Sequence, residues 1–311
     1  MDVSEILALV RRHDLDNTSS SPVLPGLSIY RRDAVSDIEG LIYEPVICLI
    51  LQGSKVTSIG DQSVELRPGD ALLVSHDLPV LSRITLASTE EPYIALILAL
   101  DLKLVRGLYE RVGDALSPPA RARSLSAAPA EPAWLEPLGR YIALAGNPVD
   151  ARVLGPSVLG EIHYRLLMSP MGGMLRNLVS VGSHASRIAR AIRLIRSEFR
   201  AALSVSKLAA AAGMSASSFH SHFRSVTGTT PLQYQKDLRL IEARSILAGG
   251  GSSVSSAAFA VGYESPTHFS RDYSKKFGSP PSRDTGPALR QTRPGPAMGA
   301  EGSGAPPPAH P

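Results

Sequence analysis

The stretch Val205-Ser-Lys-Leu-Ala-Ala-Ala-Ala-Gly213-Met214 returns about fifty residues later as Val254-Ser-Ser-Ala-Ala-Phe-Ala-Val-Gly262-Tyr263. Val205, Leu208, Ala209 and Ala212 recur in the second copy as Val254, Ala257, Ala258 and Val261. Apolar residues at i, i+3, i+4 and i+7 predict a short helix with one buried stripe. The glycine after each stripe suits a left-handed helix end, which costs any other residue strain.

A second helix is expected after each turn. Ser215 and Ser265 are suitable N-caps, followed by Phe219 and Phe223 in one copy and Phe269, Tyr273 and Phe277 in the other. The copies differ by one residue in the turn, since Glu264 has no counterpart. Short helix, glycine turn and capped second helix make a helix-turn-helix pattern, whose second helix enters the major groove of DNA. Between the copies, Thr230-Pro231 opens a helix that stops at Gly249-Gly250-Gly251. At ~1.5 Å per residue it spans about 25 Å, and could hold two reading helices roughly one DNA turn apart.

The charge is divided in the same way. Residues 183–285 carry 14 Lys and Arg against 6 Asp and Glu, whereas residues 1–182 carry 16 against 21. One basic part on an acidic part points to a polyanionic partner for the former, nucleic acid or acidic membrane surface on charge alone. The chain has 311 residues, enough for two ordinary domains, and no apolar run long enough to span a membrane. Its start lacks the pattern of a signal peptide and reads as a helix with Val3, Ile6, Leu7 and Val10 on one face and Asp2 as cap. Its one cysteine, Cys48, builds no disulfide framework. A cytoplasmic protein is expected.

Upstream, residues 22–100 read as short β segments: Pro45–Leu51, Lys55–Ile59, Ser63–Leu66, Ala71–Ser75 and Tyr93–Leu100, with a hairpin signal at Gly60-Asp61. Many short strands predict a barrel or sandwich. Helices follow at about 102–112, 134–145 and 157–168. Ser117–Pro132, rich in Pro, Ala and Ser, reads as an exposed loop, and 286–311 as a disordered tail. In the helix at 157–168, Val158, Leu159, Ile162 and Leu166 form a stripe suited to a dimer seam or to packing on the barrel.

The stretch at about 183–284, which includes LAAAAGMSASSFHSHFRSVTGTTPLQYQKDLRLIEARSIL and VGYESPTHFSRDYSKKFGSPPS, resembles the DNA-binding domain of the AraC/XylS family. The family usually continues past its last proline to an aromatic-Arg pair. Here Pro281-Ser-Arg is followed by Asp284-Thr285, which leaves the packing of that end open. PVICLILQGSKV and LRPGDALLVSHDLPV are similar to the N-terminal regulatory domain of one AraC-type subgroup and, more distantly, to a cupin barrel. The resemblance implies an α+β chain: a cupin-like regulatory and dimerisation domain (1–182), a two-unit DNA-binding domain (183–285) and a tail (286–311). It also implies double-stranded DNA, RNA polymerase and a small-molecule effector as partners, a candidate homodimer, and a regulator's role, activation included.

Carried across, the family's reading positions fall on Ser217, Ser218, His220, Ser221 and Arg224, and on Thr267, His268, Ser270, Arg271 and Lys275. Arg271 is the preferred base reader, because a guanidinium spans both major-groove acceptors of guanine; the alternative is a phosphate contact. Arg187, Arg190, Lys207 and Lys236 read as phosphate contacts or solvated charges. An enzyme is not expected, and neither is a metal or other cofactor. The first β turn lacks the His pair of catalytic cupins, His76 stands alone, and Cys48 lies among Val46, Ile47, Leu49 and Ile50, which favours an inert buried thiol over a redox sensor.

Overall fold

The computed structural model describes residues 1–16, 24–60, 62–112 and 123–284; the expected tail at 286–311 and positions 117–122 of the expected loop lie outside them. Helix α1 (Val3–Arg12) opens the chain, and Asp2 caps it in a reciprocal box with Glu5. Nine strands follow among the described residues: β1 (Leu27–Arg32), β2 (Glu39–Tyr43), β3 (Val46–Gln52), β4 (Ser54–Ile59), β5 (Gln62–Leu66), β6 (Asp70–Val74), β7 (Leu78–Leu86), β8 (Tyr93–Ala99) and, after α2 (Leu102–Val112), β9 (Leu125–Pro129).

The strands form two antiparallel sheets, ordered β1-β8-β3-β6-β9 and β2-β7-β4-β5. The expected cupin-like β region is present as two apposed sheets, not closed into one continuous barrel. The β4–β5 hairpin falls where Gly60-Asp61 predicts it, with Ile59 opposite Gln62. The loop reading of Ser117–Pro132 needs correction, because Leu125–Pro129 pairs with β6 from Val74 to Asp70. Hydrogen bonds to the exposed edge of β6 outweigh a composition that favours turns.

Strand β3 is buried on both faces. Ile47, Leu49 and Leu51 face one way, into a cluster with Ile6 and Val10 of α1, Trp134 and Leu138 of α3 (Pro132–Ala143), Ile162 and Leu166 of α4 (Pro148–Met168) and Leu175 of α5 (Gly173–Val179). Cys48 and Ile50 face the second sheet, together with Ile59, Leu66, Leu78 and Val80. A near-continuous apolar run is what a doubly covered strand needs. The α4 stripe is settled by the same cluster: Ile162 and Leu166 are fully buried in it, with Val158 and Leu159 packed against it. Ile162 and Leu166 are core, which is the packing that the stripe was expected to allow.

Six further helices follow among the described residues: α6 (His184–Glu198), α7 (Val205–Ala212), α8 (Ala216–Thr227), α9 (Pro231–Ala248), α10 (Val254–Ala260) and α11 (Pro266–Phe277). They lie against the second sheet. A Cβ on Gly40 of β2 would come within 2.8 Å of both Ile241 and Phe277, so glycine permits the close approach there. Tyr234 donates its hydroxyl to the Asp77 carbonyl at 2.5 Å, and Arg196 bridges Asp77 at 2.7 Å and Glu44 at 3.2 Å.

His76 sits in this seam, 3% exposed. Its Nε2 faces the Ala185 carbonyl at 3.1 Å and therefore carries the proton, while Nδ1 accepts from the Ser75 hydroxyl at 2.8 Å. Burial pushes its pKa down to about 4, against the help of the Ala185 carbonyl. The folded chain thus keeps this imidazole neutral where the unfolded chain protonates it. Its stabilisation is complete above about pH 6.5 and drains away as the pH falls towards 4, by about 3 kcal/mol. Urea titrations at steps of pH should show that loss, and H76Q should flatten it.

Candidate nucleic-acid interface

Each repeat of the sequence becomes two helices set by the same local devices. Ser204 caps α7 by accepting from Lys207 N, and Ser253 caps α10 by accepting from Ser256 N. Gly213 (φ +65°) and Gly262 (φ +90°) turn the chain left-handed, and Met214 N and Tyr263 N reach back to the Ala209 and Ala258 carbonyls at 3.0 Å in both copies. Ser215 then accepts from Ser218 N, and Ser265 from His268 N, so α8 and α11 begin where their serines direct.

Helices of eight and seven residues are too short to persist alone. Both units are therefore seated on α9. Its N-terminal half gives Tyr234 and Leu238 to the cluster of Leu208, Phe219 and Phe223. Its C-terminal half gives Leu240, Ile241 and Ala243 to the cluster of Val261, Phe269, Tyr273 and Phe277. The rings of Phe219, Phe223, Phe269 and Tyr273 are core, with Phe223 meeting Tyr234 edge-on at 5.6 Å between centroids. Two ion pairs lock α11 to α9: Lys276–Asp237 and Lys236–Asp272, both at 2.8 Å.

Burying the aromatic stripe turns the other faces of α8 and α11 outward. Ser217, His220, Ser221 and Arg224 are exposed on α8, with Ser218 half-buried beside its cap. On α11, Thr267, His268, Arg271 and Lys275 are exposed and Ser270 is half-buried. Thr267, Arg271 and Lys275 recur every four residues, which makes one continuous stripe. The side chains of Arg224, Arg271 and Lys275 make no hydrogen bond or ion pair among the described residues.

The other expected cations are engaged with protein. Arg190 donates to the Ala211 and Ala212 carbonyls at the end of α7, at 3.2 and 3.1 Å, and Arg187 reaches the Gly213 carbonyl at 3.4 Å. Lys207 pairs with Glu198 at 2.5 Å, and Lys236 is the partner of Asp272. Sequence spacing gave no sign of His222, whose ring stacks on His184 at 3.6 Å and ties α8 to the start of α6. Desolvation, then the neighbouring His184, lowers its pKa.

The chain end that departs from the family pattern closes the second unit by ionic contact. Asp284 meets Arg244 of α9 at 3.0 Å and accepts from the Tyr273 hydroxyl of α11 at 2.8 Å. Among the described residues, no group of three or more His, Cys, Asp or Glu is placed to hold a metal, and no helix is long and apolar enough to cross a membrane.

Two capped helix-turn-helix units on one spacer helix, each with a polar stripe facing outward, define a protein that reads duplex DNA. The chain belongs to the AraC family of transcriptional regulators: the family described as AraC-type transcriptional regulator N-terminus matches residues 23–174, and the helix-turn-helix domain family matches 208–285. It is 35% identical over 88 residues to the MmsAB operon regulatory protein of Pseudomonas aeruginosa, a match covering 28% of this chain and 29% of that one. It is 23% identical over 255 residues to the transcriptional regulator ExsA of the same organism, covering 77% and 85%. The fold is shared with ToxT from Vibrio cholerae, at a TM-score of 0.52 and 14% identity over 82% of this chain and 96% of that one.

Asp284 offers a direct test of how the second unit is held. Its side chain is 5% exposed and that of Arg244 is 16% exposed. Asp284→Asn leaves a largely buried guanidinium without its counter-charge and should cost about 3 kcal/mol. Chemical denaturation measures that loss.

Proposed function

We propose that residues 183–285 form the DNA-reading domain of this regulator, with α8 and α11 each entering a major groove, and that residues 1–182 form the domain that controls it. The exposed stripes on α8 and α11 carry this reading. Arg271 presents an unengaged guanidinium at the middle of α11, suited to the O6 and N7 acceptors of one guanine. Ser221 stands in the corresponding place on α8, so the two units read with different chemistry. His220, Arg224 and small polar side chains serve the first, while Arg271, Lys275 and Thr267 serve the second.

A small-molecule effector acting through residues 1–182 is supported by a cleft of 290 Å³ between α2, α5 and α6, walled by Leu102, Leu178 and Val179 and rimmed by Arg106, Arg190 and Arg193. Arg190 also holds the last carbonyls of α7. A ligand that engages this arginine differently in two arrangements of α7 would shift the balance between them. RNA polymerase and a second copy of the chain are the further partners of this reading, with activation as its outcome.

Selection of bound sites from random duplexes, followed by titration of the preferred site, tests the assignment. Arg271→Ala should weaken the preferred site by ~1–3 kcal/mol and relax the choice at one base pair. Lys275→Ala should weaken all sites alike and reduce the slope of log K against log salt by about one. A variant R271A with unchanged affinity and preference removes Arg271 as a base reader.

A further inference from the structure

Strand β4 carries a lysine into the apolar interior between the sheets. Lys55 is 6% exposed, and its Nζ lies 3.2 Å from Tyr43 Oη and 3.5 Å from Cys48 Sγ on the facing sheet. No carboxylate pairs with it among the described residues; the nearby buried Glu39 is engaged by Arg32 at 3.5 Å. An ammonium taken out of water without a counter-charge is costly. Burial pulls this amine towards the neutral form, and the facing Cys48 sulfur, with Tyr43 and Tyr93, more than offsets that and holds its pKa above the ordinary range.

A second anomaly points into the same space. Tyr93 is 1% exposed on β8; Lys55 and Cys48 are its neighbours, an ammonium only donates, and the hydroxyl proton of Tyr93 finds no acceptor. Thr57, two residues along β4 from Lys55, also buries an unpartnered hydroxyl. Buried donors without acceptors are rare in folded chains.

We propose that Cys48 is a modification site for small hydroperoxides, its sulfur set against the Lys55 ammonium and its oxidised form completed by the Tyr93 hydroxyl. The thiolate attacks one peroxide oxygen; the S–O bond forms as the O–O bond breaks. Sulfur is oxidised by two electrons, and the leaving hydroxide takes the proton of the new sulfenic acid to become water (for an alkyl hydroperoxide, the alkoxide becomes the alcohol). A sulfenate remains beside Lys55, and its oxygen supplies the acceptor that Tyr93 lacks. Cys48 is 4% exposed, which closes its sulfur to bulky disulfides and leaves only a small reagent as its oxidant. The core cluster that holds Cys48 runs on to Ile188, Phe219 and Phe223, so the thiol lies in the same continuous packing that reaches the first helix-turn-helix unit.

The single cysteine makes the test quantitative. Reduced full-length chain at pH 7 is exposed to hydrogen peroxide, quenched with catalase, unfolded in guanidinium, and its remaining thiol titrated with a chromogenic disulfide. The native chain should lose its thiol about tenfold faster than chain unfolded before the peroxide is added, and K55M should abolish that advantage. Y93F should be oxidised as fast but hold the arsenite-reducible sulfenate for less time; an unchanged lifetime overturns the role of Tyr93. A native rate no greater than the unfolded rate overturns the proposal, as does a folded K55M that reacts like the wild type. Should K55M fail to fold, the native-to-unfolded comparison decides alone.

Discussion

The helix-turn-helix units depend on one constraint: helices of seven and eight residues must borrow their stability from a neighbour. Helix α9 supplies it twice along its length, first through Tyr234 and Leu238, then through Leu240, Ile241 and Ala243. Because both aromatic cores rest on one rigid element, the unit that carries Arg224 and the unit that carries Arg271 are held in a fixed relation. Orienting each reading helix thus falls to its buried face, which frees the outward face to vary in chemistry.

The seam between the sheets and the helices is built with the same economy of contact. Gly40 lets β2 approach Ile241 and Phe277, and Tyr234 and Arg196 fasten backbone and carboxylates on the far side. His76 adds a polar contact to the Ala185 carbonyl in a site whose burial keeps the ring neutral. An event in the sheet-bearing half therefore meets the DNA-reading half through packed atoms, without an intervening mobile linker to absorb it.

Much of this architecture was legible in the chain. The paired stripes, the serine caps, the glycine turns and the long middle helix are all local, set within four residues by hydrogen bonds that a linear sequence displays. The exposed placement of Arg271 and Lys275 followed from the same period, because burying Phe269 and Tyr273 leaves their opposite face outward. Strand β9 was hidden, since its Ala- and Pro-rich stretch owes its conformation to a partner some fifty-five residues earlier in β6. The α4 stripe was visible as apolar with two readings, dimer seam or packing on the barrel, because periodicity reports that a face is buried without saying by what.

What the sequence by itself determined is therefore the repeated DNA-reading unit, whose signals lie within one or two helical turns. Tertiary structure alone decided the contacts made across long separations. Asp284, in place of the family's aromatic-Arg pair, closes the second unit by meeting Arg244 and Tyr273. Arg190 and Lys236, readable as phosphate contacts, turn out to cap a helix and pair an acid. Cys48 was rightly read as buried from its apolar neighbours along β3, but those neighbours point alternately to the two faces of the sheet. The charge that matters to the thiol arrives on the opposite sheet, from Lys55, where only the fold could bring it.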